Sequence, residues 1–385
     1  MKIAIVCPDG RSLILFCKGL INELKNIKNT QIYTLSSEGA YKGEVESLGV
    51  NNINIDIYRF ISPVKDLKLI IKLYLIFKRQ KFDLVYNIST KLNIYGTIAA
   101  KMAKVDHIVS HIVGLGSVFS LTGLKGRFVK FTYFALYRLS CRLSNKIWFT
   151  NKNDLKYFIS HGFVSQKKVL LTNTCLDLDF YSSERVNKDQ MSEVRRELGL
   201  SGQDEVVLMV ARLIWPKGIR AFVEAAEILK DKYPFVKFLL IAPPEPGSYD
   251  EVPVSYINSA LMKLPNFIWL QYRDDLRPYY ALSVIGVLPT YYKEGGQPRA
   301  LLEPMAMGKA VITTDSTDCC DVVEDGRNGH LIPIKNSKAL AEAIEDLICH
   351  EDKRKEFGLH SRMKVEREFD EKVIVRQVIE AFLGK

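Results

Sequence analysis

TYYKEGGQPRALLEPMAMGKAVITTD, residues 290–315, runs from the end of one apolar strand to the whole of another. Val287 and Leu288 close the first strand, a polar glycine-rich loop follows, then a helical pattern, then a strand from Ala310 to Thr313. Glu294 opens the loop and Glu303 lies on the helix. Between them Gly295 and Gly296 remove the side chains that would hold a ligand away from the backbone. The helix start offers unpaired N–H groups and a positive dipole end, which suits an anion. Two acceptors for hydroxyls and one site for phosphate, all within residues 290–303, match the needs of a sugar nucleotide.

The same alternation extends along the chain. Apolar runs of strand length are KIAIV, QIYTL, DLVYNI, HIVSHIV, KIWFT and KVLLT in the first half, and EVVLMVA, KFLLIA, NFIWL, VIGVLPT and AVITT in the second. Helical patterns lie between them, among them 12–25, 221–230 and 338–348. Strands alternating with helices predict an α/β fold with parallel sheets built from right-handed βαβ units. At 385 residues the chain holds two ordinary domains. The polar segment 182–203, ahead of a fresh strand at Glu205, is the expected junction, giving domains 1–185 and 186–365 and a terminal segment 366–385.

Composition narrows the class. Hydrophobic residues make up 47% and charged residues 25%, the proportions of a soluble globular protein. No uncharged apolar run reaches the roughly 18 residues of a membrane span, and MKIAIVCPDG reads as a first strand rather than a secretory signal. Seven cysteines without regular spacing predict a reducing, cytoplasmic setting. The adjacent Cys319 and Cys320 lack a second pair at zinc spacing, so no metal site is expected there.

Charge is unevenly spread. Residues 1–185 hold 27 Lys and Arg against 13 Asp and Glu, while the remainder hold 27 against 31, so the whole surplus is in the first half. Two of its segments interleave cations with large apolar residues: VKDLKLIIKLYLIFKRQK (64–81), and 125–146 with Lys125, Arg127, Lys130, Arg138, Arg142 and Lys146. Each reads either as an amphipathic helix for an anionic membrane surface or as a core helix with a solvated basic face. The surplus favours the membrane reading. Nucleic acid is the other usual partner of a basic face, but no reading module is present.

The second half opens with VLMVARLIWPKGI, 207–219. A buried strand leads to Arg212, and Lys217 follows ahead of Gly218 and a helix. Two cations at the carboxyl end of a strand suit the charge that develops on a departing diphosphate.

VARLIWPKGI, EGGQPRALLEPMAMGKAVITTD and DGRNGHLIP together resemble the retaining glycosyltransferases of family 4, in the GT-B class. HIVGLGSVFS (111–120) and FTNKNDLKYF (149–158) resemble a bacterial subgroup that extends saccharides on undecaprenyl diphosphate, including N-acetylgalactosaminyltransferases of protein glycosylation and surface-glycan assembly. The resemblance implies two Rossmann-like domains facing a cleft, the first binding acceptor and the second nucleotide sugar, with the terminal helix returning to the first domain. It implies a UDP-sugar donor, a polyprenyl-diphosphate-linked saccharide acceptor, and residence on the inner face of the cytoplasmic membrane.

Site roles follow residue by residue from the same resemblance. Arg212 and Lys217 match the diphosphate-binding pair, Glu303 the carboxylate that binds both ribose hydroxyls and Glu294 the carboxylate facing the transferred sugar. Gly295, Gly296, Gln297, Pro298 and Arg299 match the loop whose amides meet sugar and phosphate. Asp9 and Gly10 take the place of the N-terminal glycine loop, with one glycine where the family has a pair. His111 is a candidate for the cleft histidine or a structural residue, and Gly114 and Gly116 would admit close approach of a ligand. Three departures stand out. One extra residue separates Glu294 from Glu303; Asp318, Cys319, Cys320 and Asp321 stand where relatives often show a Gly-Cys-Arg-Glu-like run; and Cys175 replaces a common glycine. The implied reaction is transfer of a hexose or N-acetylhexosamine with retention, without a covalent nucleophile or a metal. The alternatives are an isomerase of the same architecture acting on a UDP-N-acetylhexosamine, and a basic nucleic-acid-binding protein.

Overall fold

A computed structural model describes residues 1–37, 39–58, 62–114 and 123–383. Gly116 and the side chain of Lys125 lie outside the described residues. The chain divides into two units, Met1–Cys175 with Glu371–Lys385, and Leu176–Asp370.

In the first unit the elements run β1 (Lys2–Asp9), α1 (Gly10–Lys25), β2 (Gln31–Ser37), α2 (Lys42–Ser47), β3 (Asn51–Asn54), α3 (Pro63–Gln80), β4 (Leu84–Ile88), α4 (Thr90–Met102), β5 (His107–Ile112), α5 (Gly123–Leu143), β6 (Lys146–Phe149), α6 (Lys152–Ser160) and β7 (Val169–Leu171). They form a seven-stranded sheet in the order β3-β2-β1-β4-β5-β6-β7, with every pairing parallel. Alternation along β1 sends Ile3, Ile5 and Cys7 into one layer with α1, and Ala4 and Val6 into the other with α3 and α4. Asp9 ends β1 and caps α1, its carboxylate accepting from the Ser12 amide at 2.7 Å.

The second unit comprises α7 (Lys188–Glu197), β8 (Glu205–Val210), α8 (Ile219–Leu229), β9 (Val236–Ile241), α9 (Val254–Lys263), β10 (Phe267–Leu270), α10 (Arg277–Leu282), β11 (Ser283–Leu288), α11 (Arg299–Ala306), β12 (Ala310–Thr314), α12 (Thr317–Cys320), β13 (Gly329–Ile332), α13 (Ser337–Cys349) and α14 (Glu351–Glu368). Its sheet is six-stranded and parallel, ordered β10-β9-β8-β11-β12-β13. The last helix, α15 (Glu371–Leu383), packs Ile374, Val375, Val378 and Phe382 into the α1 layer of the first unit.

All eleven expected strands are present. Two more, β3 and β13, were not anticipated. The division of the chain differs from the expected 185 and 365 boundaries. Leu176, Leu178 and Tyr181 are buried in the second unit's core, so the crossing falls after Cys175, before the polar segment begins. The return crossing falls after Asp370 for the same reason, since Phe369 belongs to that core.

In each sheet strand order reverses once, between β1 and β4 in the first unit and between β8 and β11 in the second. Open parallel sheets bind ligands outside the carboxyl ends of strands at such a point. Asp9 ends β1 and Gly10 follows it, whereas Arg212 and Lys217 follow β8 and Glu294 follows β11.

Candidate active site

Beyond β8 the chain turns tightly, the Ile214 amide donating to the Arg212 carbonyl at 2.8 Å, and a single 3₁₀ turn spans Trp215–Lys217. Gly218 stops that turn with φ 85° and serves as the N-terminal boundary of α8. A Cβ at this position would lie 2.0 Å from the Pro289 carbonyl oxygen, so only glycine lets the β8 and β11 loops touch. The Tyr291 amide then donates to the Pro216 carbonyl at 2.8 Å, joining the two loops.

That junction puts Lys217 on Glu294. The ammonium donates to Oε2 at 2.5 Å, and the two side chains retain 11% and 8% of their exposure. The Thr290 hydroxyl donates to the other oxygen at 2.8 Å. A carboxylate this buried requires such partners, because an uncompensated buried charge costs several kcal/mol. The Tyr292 ring lies close to both site cations, 5.0 Å from Lys217 Nζ and 5.2 Å from Arg212 Cζ. Arg212 donates to both carboxylate oxygens of Glu245, at 3.1 and 3.2 Å, and keeps 41% of its side-chain exposure. It is therefore placed at the mouth of the site, while Lys217 lies inside it.

Helix α11 carries the second carboxylate. Gly286 of β11 leaves room for Pro304 of α11, where a Cβ would stand 2.8 Å from the proline ring, so helix and strand lie close together. Glu303 is buried. Its Oε1 accepts from Tyr181 at 3.0 Å and Arg299 at 3.0 Å, and its Oε2 accepts from Tyr280 at 2.9 Å. Burial, reinforced by the Glu303 charge, pushes both phenols up in pKa, so both stay donors. With two donors on Oε1 and one on Oε2, the carboxylate has one clear lone pair left, on Oε2. The expected pairing of Glu303 with both ribose hydroxyls thus needs one of these donors to move.

The loop between the glutamates is only partly open. The Gly295 amide donates to Asp318 at 3.1 Å, Gln297 and Pro298 are buried, and Gly296 is half-buried. Arg212, Lys217, Glu294, Gly295, Gly296, Gln297, Pro298, Arg299 and Glu303 all belong to the second unit. Gly10 and His111 belong to the first.

Gly10 is buried at the start of α1, where a Cβ would meet Tyr41 and Val45 at 3.1 and 3.2 Å, tighter than ordinary contact. His111, read from sequence as a cleft histidine or a structural residue, is buried in the first unit. Its imidazole stacks on Trp148 with centroids 3.8 Å apart and bonds the Tyr86 hydroxyl through Nδ1 at 2.7 Å. It is 3% exposed, and burial lowers its pKa to about 3. The other ring nitrogen, Nε2, is buried without a hydrogen-bond partner among the described residues. Gly114 follows β5 in the left-handed region, with φ 134°.

Sequence reasoning missed Tyr292, Thr290, Glu245, Asp318, Tyr181 and Tyr280. Thr290 and Tyr292 stood inside the opening stretch, and strand-end position was their only signal. Tyr181 is 122 residues from Glu303, and nothing local marks that pairing.

Residues 2–151 match the model of a glycosyl transferase 4-like domain, and 204–350 that of the glycosyl transferases group 1. The chain is 27% identical, over 99% of its length and 98% of the relative's, to the N,N'-diacetylbacillosaminyl-diphospho-undecaprenol alpha-1,3-N-acetylgalactosaminyltransferase of Campylobacter jejuni. It is also 27% identical to the UDP-Gal:alpha-D-GlcNAc-diphosphoundecaprenol alpha-1,3-galactosyltransferase of Escherichia coli, over 74% of this chain and 71% of that one. In fold it is similar to Anabaena HepE in complex with UDP and glucose, with TM-score 0.81, 19% identity and full coverage of both chains. One β8 loop brings cations, one β11 loop brings a carboxylate, and both lie within the group 1 domain: the chain belongs to the glycosyltransferases that join a 4-like domain to a group 1 domain.

Proposed function

We propose that this glycosyltransferase moves a hexose or N-acetylhexosamine from a UDP-sugar to a polyprenyl-diphosphate-linked saccharide, with retention of configuration. The observation that carries this reading is the Lys217–Glu294 pair at the β8/β11 reversal, with Arg212 beside it. The Campylobacter and Escherichia relatives bear names of transferases acting on undecaprenol-linked substrates, and HepE holds UDP and glucose, which supports the donor and acceptor classes.

In this reading Arg212 and Lys217 meet the diphosphate, and Glu303 takes a ribose hydroxyl at Oε2. Glu294 faces the transferred sugar. The bond between sugar C1 and the phosphate oxygen breaks, and the acceptor oxygen bonds C1 on the same face. The acceptor proton passes to the leaving phosphate oxygen. The protein contributes position and charge rather than a nucleophile. With two cations supplied for the diphosphate, turnover is expected to persist in EDTA.

The membrane surface belongs to the same proposal. Among the described residues no helix is long and apolar enough to cross a membrane. Helix α3 turns Leu69, Leu73 and Phe77 inward, yet leaves Val64, Leu67, Ile71 and Leu75 exposed among Lys65, Lys68, Lys72, Lys78 and Arg79. Phe131 and Leu139 are exposed on α5 beside Arg127, Arg138 and Arg142. Apolar residues flanked by cations suit an anionic interface.

The test is product analysis. UDP-glucose, UDP-galactose and their N-acetylamino counterparts are each incubated with a short polyprenyl-diphosphate-linked saccharide. One donor is expected to extend the acceptor by a single residue whose anomeric proton reports the donor's configuration. An inverted product would overturn retention. Donor epimerisation without extension would favour the isomerase.

A further inference from the structure

The two loops that bring Lys217 to Glu294 have a second side. Lys217 and Tyr292 meet at the site described above, whereas their neighbours Trp215, Gly218 and Tyr291 line a separate cavity of about 280 Å³. Arg220 and Glu224 of α8 and Lys335, which follows β13, complete its wall. The volume is close to the lower end of small-molecule sites, roughly 300 Å³.

Two cations stand over its aromatic residues. Arg220 stands over the Trp215 ring with Cζ 5.0 Å from the centroid, and Lys335 Nζ is 4.6 Å from the centroid of Tyr291. Among the described residues neither cation has a carboxylate partner. Several other cations of this unit take carboxylates, among them Arg212 with Glu245, Lys217 with Glu294, Arg354 with Glu205 and Lys364 with Glu324. A guanidinium or ammonium held over an aromatic face has already lost part of its rotamer freedom, so less is lost on binding an anion. Lys335 also sits in the left-handed region, at φ 57°, which a lysine adopts at a cost. Helix α8 begins at this wall with no acidic residue in its first turn and no side-chain cap, which adds a positive dipole end.

We propose that this cavity is a second ligand site, taking a sugar that bears a phosphate. The phosphate is held by Arg220 and Lys335, and Glu224 accepts a hydroxyl of the ring. Trp215 and Tyr291 supply the apolar walls that sugar rings pack on. The ligand also contacts the loop that carries Lys217: the Gly218 amide donates to the Trp215 carbonyl at 2.9 Å and the Tyr291 amide to Pro216 at 2.8 Å. Occupancy therefore restrains the segment holding Lys217. The phosphorylated sugar is either a free sugar phosphate or the phosphate-linked end of a lipid-bound saccharide.

The experiment is a calorimetric titration of the full chain with glucose 6-phosphate, inorganic phosphate and glucose, each with and without saturating UDP. Glucose 6-phosphate is expected to bind with UDP present, and at least about tenfold more tightly than either part-probe. Arg220→Gln and Lys335→Gln should each weaken it about tenfold or more, the scale of a lost charged hydrogen bond. Both side chains are exposed, and unchanged UDP binding in the same titration verifies the fold and reports separately on the donor site. Competition by a polyprenyl-diphosphate-linked saccharide assigns the ligand to the lipid-bound source, and its absence to the free one. Loss of glucose 6-phosphate binding on adding UDP, or equal binding by the Arg220→Gln, Lys335→Gln double variant, would overturn the proposal.

Discussion

Glu294 shows how much of the site rests on single side chains. It is nearly buried and bound by Lys217 and Thr290, so its charge is held in place before any ligand arrives. Replacing it with Gln keeps the shape and removes the charge that faces the sugar. Turnover of Glu294→Gln should fall by roughly a hundredfold, the scale of a lost electrostatic contact in a transition state. UDP affinity, measured by calorimetry, should change far less. Equal losses in both would move Glu294 from the sugar to the nucleotide. His111 makes the opposite case. Its folded pKa is lowered to about 3, whereas an unfolded histidine takes a proton near 6.5. The unfolded chain therefore binds more protons between those values, and stability is lost as pH falls from about 6.5 towards 3. His111→Phe should keep turnover and flatten that part of the stability profile, followed by chemical denaturation across pH. A collapse of turnover at unchanged stability would make His111 a catalytic residue. Arg212, Lys217, Glu294 and Glu303 were legible because strand ends and glycine spacing mark them. The partners of Glu303 were not, since Tyr181 and Tyr280 reach it only through tertiary packing.

At the scale of elements, the periodic pattern of α3 was legible but its orientation was not. Cations and apolar residues alternate along 64–81, and sequence alone left open which apolar residues face the core. The structure assigns Leu69, Leu73 and Phe77 to the core and leaves Val64, Leu67, Ile71 and Leu75 in a stripe at helical spacing. A buried pair holds the helix start, Lys91 donating to Asp66 at 2.7 Å while Tyr95 donates at 3.1 Å. Converting Leu67, Ile71 and Leu75 to Ser should therefore leave the melting temperature nearly unchanged and sharply reduce co-sedimentation with anionic vesicles. Undiminished sedimentation would remove α3 as the contact. The strands that escaped sequence reading have clear reasons. β3 is NNIN at a sheet edge, three asparagines around one apolar residue, and β13 is a short GHLI at an edge of the other sheet. Edge strands need little burial, so they show little apolar signal.

Over the whole molecule, two sheets with one strand-order reversal each give two places where ligands can be held at strand ends. The alternation of strands and helices foretold both sheets. The position of the crossing was misjudged because polar composition marks surface, not ownership, and Leu176, Leu178 and Tyr181 precede the polar run. The surplus of positive charge falls in the unit that carries α3 and α5, and the diphosphate-binding candidates fall in the other. The central claim is that the cations after β8 and the carboxylate after β11 act together in sugar transfer to an acceptor. The most direct measurement is UDP release from a UDP-sugar in EDTA, with and without a polyprenyl-diphosphate-linked saccharide, for the wild type and Lys217→Ala. Release should require the acceptor and fall by roughly a hundredfold in the variant. Release independent of acceptor, or undiminished turnover in Lys217→Ala, would contradict it.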